Sequence, residues 1–252
     1  MTQKSWLAPS KVSASASLRL FCFPYAGGGA VIYRNWQERL PSSIDVCPVQ
    51  LPGRGNRLYE PAFTDIRPLV KAAAEGLIPY MDKPFAFFGH SMGALIAFEL
   101  ARLLRKEYGL SPLQLFVSGR SAPQLPVTES PLHNLPEAEF IEALRRLNGT
   151  PHEVFEHEEL MQFMLPLLRG DFTVCETYAY RDDAPLECPI TAFGGVEDKE
   201  VPRERLESWV MQTKSSFMLR MFPGDHFFLN TAQQSLLLAL TRELLQLVRI
   251  AA

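Results

Sequence analysis

Gly89-His90-Ser91-Met92-Gly93 places a serine between two glycines, directly after the apolar run Phe85–Phe88 and directly before a long helical pattern. A serine at a sharp strand-to-helix turn stands above the carboxyl edge of a sheet, and the flanking glycines keep side chains from colliding there. The helix that starts beside it aims backbone N–H groups at developing negative charge. Ser91 is therefore assigned as a nucleophile.

A serine hydroxyl needs a base, and the base needs an orienting acid. Five histidines are available. His90 adjoins the nucleophile, and its side chain is expected to point away from it. His133, His152 and His157 fall in a helical stretch. His226, in Phe222-Pro223-Gly224-Asp225-His226-Phe227-Phe228, follows the last strand pattern and precedes the last helix, so it is assigned as the base.

For the acid, the loop after the run Ile190–Phe193 offers Gly194-Gly195-Val196-Glu197-Asp198, whereas the loop from Gly119 to Val127 holds no carboxylate. Asp225 adjoins His226 and is badly placed for its far ring nitrogen. Asp198 is the chosen orienter and Glu197 the runner-up, in the chain order serine, acid, histidine.

A tetrahedral intermediate also needs two N–H donors. One is assigned to the backbone of Met92. The other is assigned to Ala26, in the glycine-rich loop Pro24-Tyr25-Ala26-Gly27-Gly28-Gly29-Ala30. A dinucleotide fingerprint starting at Gly27 would need glycine where Ile32 stands, so NAD and FAD are discounted. His152 and His157 lack the i, i+4 spacing of a helical zinc pair, and no metal is expected. Pro52-Gly53-Arg54-Gly55-Asn56-Arg57 is a turn with two cations, read as solvated arginines with the option of meeting an anion.

These residues need elements to hold them. Short apolar runs at Leu18–Phe23, Ile44–Leu51, Phe85–Phe88, Leu113–Val117, Ile190–Phe193 and Phe217–Phe222 read as strands, nearly continuous in apolar character as parallel strands are. Helical patterns at Ile66–Tyr80, Met92–Tyr108, Arg203–Thr213 and Ala232–Ile250 alternate with them. The second has only Glu99, Arg102 and Lys106 as a polar stripe, so it should be largely buried, with Gly109 as its C-cap. The alternation implies an α/β fold with a mostly parallel, doubly wound sheet.

One interval breaks the rhythm. Between Gly119 and Cys188 only helical patterns occur, at Glu137–Leu147 and around Glu156–Leu168. They are read as a helical lid inserted at about 122–184, with Phe163 and Met164 on an apolar face that lines the substrate pocket. The rest of 18–252 forms the single domain, and residues 1–17 read as a flexible leader.

The chain has 252 residues, with 25 Lys and Arg against 28 Asp and Glu, a net charge of −3. That balance argues against nucleic-acid binding by bulk electrostatics. The four cysteines are scattered without a C-x-x-C pair, which gives no zinc ribbon and suits reduced thiols. No apolar run reaches membrane-spanning length, and the leader lacks an apolar signal region. A cytoplasmic monomer without membrane or nucleic-acid partners is expected.

Together the motifs resemble the type II thioesterases associated with non-ribosomal peptide and polyketide synthetases. The resemblance rests on Phe23-Pro24-Tyr25-Ala26-Gly27-Gly28, Leu51-Pro52-Gly53-Arg54, Phe88-Gly89-His90-Ser91-Met92-Gly93, Val117-Ser118-Gly119-Arg120, Arg169-Gly170-Asp171-Phe172, Gly194-Gly195 with Asp198, and the segment around His226. Gly55 departs from the glutamate that the family commonly carries there.

The resemblance implies an α/β-hydrolase that removes wrong or stalled acyl groups from the phosphopantetheine arm of carrier proteins. It implies no resident cofactor. A fatty acyl-carrier-protein thioesterase or general carboxylesterase keeps the chemistry and changes the substrate. A non-catalytic ligand-binding module on the same fold is the alternative of another class.

Overall fold

A computed structural model describes residues 5–8, 15–127, 130–150 and 152–251. Six strands form one sheet: β1 Leu18–Phe23, β2 Ile44–Pro48, β3 Phe85–His90, β4 Leu115–Ser118, β5 Ile190–Gly195 and β6 Phe217–Phe222. Every pairing is parallel, and the order is β2-β1-β3-β4-β5-β6. All residues of β1 to β5 are buried, which is why their sequences read as unbroken apolar runs.

The helices are α1 Ile66–Leu77, α2 Met92–Tyr108, α3 Glu137–Leu147, α4 His152–Glu156, α5 Glu158–Glu176, α6 Arg203–Glu207, α7 Phe228–Thr231 and α8 Gln233–Ala251. Strand residues of opposite parity feed two cores. Phe21, Phe23, Phe85 and Phe87 pack with α1 and α2 on one face. Leu18, Leu20, Phe88 and Phe116 pack with Leu236, Leu240 and Leu244 of α8 on the other. This is the doubly wound arrangement expected from the alternation.

The chain enters at β1, steps outward to β2, then returns past β1 to β3 and proceeds outward through β4, β5 and β6. The direction reverses between β1 and β3. In open α/β sheets the crevice outside the carboxyl ends of the strands at such a reversal is the ligand site. The loop after β1 and the turn after β3 both open there, and they carry Ala26 and Ser91.

Several boundaries differ from the sequence reading. α1 stops at Leu77, and Ile78–Tyr80 forms a 3-10 turn; Pro79 has no N–H to donate to the carbonyl four residues back, and its ring crowds that carbonyl. The pattern at Arg203–Thr213 splits into α6 and a 3-10 turn, Ser208–Gln212. The helix expected around Glu156–Leu168 runs as α5 to Glu176, through an internal Pro166. α2 occupies Met92–Tyr108 as read, buried from Met92 to Ala101 except at Glu99, with Gly109 left-handed at its C-cap.

The flexible leader is corrected where its residues are described. Trp6 and Leu7 are each 3% exposed. Leu7 forms an antiparallel bridge with Val49, and the Arg57 guanidinium lies 4.3 Å from the centre of the Trp6 ring. Residues 1–4 and 9–14 of that segment lie outside the described residues. So do 128, 129 and 151 of the insertion.

The insertion has a core of its own: Phe140, Leu144, Val154, Met161, Leu165 and Leu168. It sits over the carboxyl edge of the sheet and closes one side of a cavity.

Candidate active site

Ser91 occupies the turn between β3 and α2 with φ 52° and ψ −114°, a conformation that L residues rarely adopt. The flanking glycines make the turn sterically open. A methyl group on Gly89 would strike the Gly93 carbonyl, and one on Gly93 would strike the Phe23 carbonyl of β1. The Ser91 N–H donates to the Ser118 carbonyl of β4 at 2.7 Å, which anchors the turn to the sheet. Met92 is the first residue of α2, so its N–H belongs to those that a helix leaves without an internal acceptor.

Asp198 follows β5 and is 7% exposed. Its Oδ1 accepts from the Glu200 and Val201 N–H groups at 2.9 and 3.1 Å, so the loop itself orients the carboxylate. Its Oδ2 lies 2.8 Å from Nδ1 of His226, which follows β6. That contact leaves Nε2 as the ring nitrogen free to face a substrate. Glu197, the runner-up acid, is exposed, and Asp225 caps its own loop by accepting from the Phe227 N–H at 2.9 Å.

Burial alone would lower the basicity of His226. The hydrogen bond from its ring to Asp198 and the charges of Asp198 and Glu200 outweigh burial, and its pKa is raised. Glu200 reaches within 4.0 Å of Nδ1 and is a neighbour the sequence reading missed.

His90 has the opposite electrostatics. Burial, with a smaller contribution from the charge of His226, holds its pKa well below the ordinary value, so it stays neutral. It turns into the interior, bonds Ser118 Oγ through Nδ1 at 2.9 Å and lies 5.1 Å from the His226 ring centre. Strand parity was the available signal, since His90 shares its face of β3 with Phe88.

Ser91, Ala26 and His226 border a cavity of about 770 Å³. The insertion contributes Leu144, Leu147, Leu168 and Phe172 to its wall. Phe163 and Met164 are not among the lining residues. Phe163 is 55% exposed, and Met164 packs against the insertion's own core. Helical phase accounts for Phe163: Leu168, Phe172 and Cys175 fall on the face of α5 toward the cavity, and Phe163 falls on the outside. Met164 shares that face one turn before Leu168 but packs into the insertion's own core. The assignment of these two residues to the pocket wall is corrected accordingly.

The two arginines after β2 are not solvated either. Arg54 and Arg57 are each 6% exposed. Arg57 is held by Glu60 at 2.6 Å, and Arg54 forms two 2.7 Å bonds with Asp171 of α5. The sequence reading missed the Arg54–Asp171 partnership because the two lie 117 residues apart.

The family model for the thioesterase domain matches residues 18–244. The chain is 52% identical over 235 residues to linear gramicidin dehydrogenase LgrE of Brevibacillus parabrevis, covering 92% of this chain and 89% of that protein. It is 48% identical over 239 residues to gramicidin S biosynthesis protein GrsT of Aneurinibacillus migulanus, covering 95% and 93%. Among solved structures, the type II thioesterase BorB from the borrelidin biosynthetic cluster superposes with a TM-score of 0.86 at 37% identity, covering 96% of this chain and 99% of that one. The α/β-hydrolase architecture expected from the motifs is the fold of these structural neighbours. No helix among the described residues is long and apolar enough to cross a membrane.

Proposed function

The chain belongs to the thioesterase family, and from that premise we propose that it hydrolyses aberrant or stalled acyl groups from the phosphopantetheine thiol of carrier proteins in non-ribosomal peptide or polyketide assembly. The Asp198–His226 contact beside a cavity bordered by Ser91 is the observation that carries the reading. The gramicidin and borrelidin pathways in the names of its relatives support the setting.

In the proposed mechanism, His226 takes the Ser91 hydroxyl proton as Oγ bonds to the thioester carbonyl carbon. The oxyanion rests on the Ala26 and Met92 amides. Collapse breaks the C–S bond, and the departing sulfur takes the proton from the imidazolium. Water then attacks the acyl-enzyme while His226 removes its proton. The C–O bond to Ser91 breaks, Oγ recovers the proton, and a free acid and a free thiol remain. Asp198 holds the ring tautomer and stabilises the imidazolium. The reaction needs no resident cofactor, because the pantetheine arm arrives on the partner.

The dehydrogenase name of one relative is not carried over: Ile32 stands where a dinucleotide fingerprint needs its last glycine. Fatty acyl-carrier-protein or general ester hydrolysis would use the same residues. The test compares acyl-carrier protein, acyl-CoA and p-nitrophenyl esters with wild type and Ser91→Ala. Turnover should favour the carrier-bound acyl group, and the variant should lose activity by 10⁴ or more, on the order of other nucleophile deletions. Preference for simple esters without carrier-protein turnover would refute the editing role. Unchanged fluorophosphonate labelling of the variant would refute Ser91.

A further inference from the structure

We infer that Arg54 and Asp171 are positioning residues for the oxyanion-binding loop, so that the aim of the Ala26 amide depends on α5 being seated. The inference rests on the mechanism proposed above and adds a device to it. Three distant parts of the chain meet here: the loop after β1, the turn after β2 and helix α5.

Asp171 Oδ2 accepts from the Gly27 N–H at 2.7 Å and from Arg54 Nη1 at 2.7 Å, while Oδ1 accepts from Arg54 Nη2 at 2.7 Å. The same Nη1 donates to the Gly28 carbonyl at 3.0 Å, and Arg54 Nε donates to the Pro52 carbonyl at 3.1 Å. The Gly28 N–H returns to the Tyr25 carbonyl at 2.9 Å. The peptide units on the C-terminal side of Ala26 are therefore clamped by one ion pair. A turn within the loop constrains the N-terminal side.

Gln50 adds a second brace, accepting from the Ala30 N–H at 3.2 Å and donating to the Arg54 carbonyl at 3.0 Å. Gly27 has φ +76°, and a Cβ there would lie 2.6 Å from Leu168 Cδ2, one turn before Asp171 on α5. Loop and helix thus touch both through apolar contact and through charge.

The side chains of Arg54 and Asp171 are 7% and 4% exposed. A buried pair of this kind seldom gains net stability over apolar residues of similar size, because desolvation offsets the attraction. Its bidentate geometry does fix direction. Direction is what an oxyanion donor requires, since the donor must already point where charge develops.

The experiment replaces the pair by an apolar one, Arg54→Met with Asp171→Leu, and compares it with Asp171→Asn in the full chain. Active sites are counted by fluorophosphonate labelling carried to completion. The double variant should lower Tm, because the Gly27 N–H and the Gly28 and Pro52 carbonyls lose their partners. It should still keep its KM within about threefold, while kcat per active site falls 10²–10³-fold, about the cost of losing one such donor. Affinity for a trifluoromethyl ketone, which forms an oxyanion on the serine, should fall in parallel. Asp171→Asn retains an acceptor for Gly27 and should lose only about tenfold, the difference between a charged and a neutral partner.

A lowered Tm with kcat per active site unchanged in either variant would overturn the inference and leave a purely structural pair. Absence of labelling at Ser91 in the wild type would instead sink the mechanism on which it rests.

Discussion

The carboxyl edge of the sheet and the helical insertion face the same cavity, yet they are held by different amounts of structure. Ser91 stands on a turn between a fully buried strand and a helix whose residues Ala94–Ala97 are at most 1% exposed. Cores on both faces of the sheet support that turn. The insertion's helices rest on the small cluster around Phe140 and Leu165, with Val174 and Cys175 at the end of α5 joining the sheet's core, and they leave Leu160 and Phe163 open to solvent at 41% and 55%. The wall that would perform bond-breaking is held rigidly, whereas the wall that receives the acyl group can change its side chains at lower cost to the fold. Local stability follows the density of buried apolar contacts, so the α3 side of the insertion should open more readily than the sheet edge, with α5 tied to that edge through Asp171 and Val174.

The strongest way to test the rigid side is Asp198→Asn. It should reduce kcat about 10⁴-fold, by freeing the ring to take the wrong tautomer. The pH profile gives a separate reading. His226 must be neutral to act as base, so kcat/KM should rise with pH, with its inflection above the ordinary imidazole value because Asp198 raises that pKa. With the carboxylate gone, burial is left as the dominant influence and the inflection should move to lower pH. An unmoved inflection would mean that another group orients the ring.

On the insertion side, Phe140→Ala removes a fully buried ring and should cost about 3–5 kcal/mol locally. Amide exchange in α3 and α5 should accelerate while α2 keeps its protection. Equal acceleration in α2 would show that the two walls are one cooperative unit.

Smaller effects separate the two faces of the insertion helices. Leu144→Trp narrows the cavity and should lower kcat/KM for long acyl chains about tenfold, within the range expected for a crowded apolar pocket, with short chains spared. Phe163→Ser should change either value by less than about twofold, as exposed substitutions do. The reverse ranking, measured on a series of acyl lengths, would return Phe163 to the pocket wall.

The chemistry-bearing residues of the sheet were legible because each sits where a local pattern ends. Ser91, Asp198 and His226 directly follow or closely trail an apolar run, and parallel sheets align such ends along one edge. All six strands and α2 were legible for the same reason, since burial on both faces writes itself into composition. The insertion was legible only as helical. Which face of α5 meets the cavity depends on how a whole group of helices sits on the sheet, and no window of sequence contains that.

Arg54 and Asp171 were each visible, but as a turn and as part of a motif. A pairing that spans 117 residues leaves no mark on either segment. Trp6 and Leu7 were hidden by the polar residues around them.

That short piece of chain has a consequence for how the molecule behaves in a crowded solution. β2 is the outermost strand on its side of the sheet, and an outer strand with open N–H and carbonyl groups is a template for pairing with another molecule. Gln50 donates to the Trp6 carbonyl at 2.8 Å, and the Ala8 N–H donates to Pro48 at 3.0 Å, while Leu7 bridges Val49. Running antiparallel to a sheet that is otherwise parallel, these residues occupy the end of the template nearest the cavity. With those groups already paired, that end of the outer strand has fewer ladder positions to offer a second molecule.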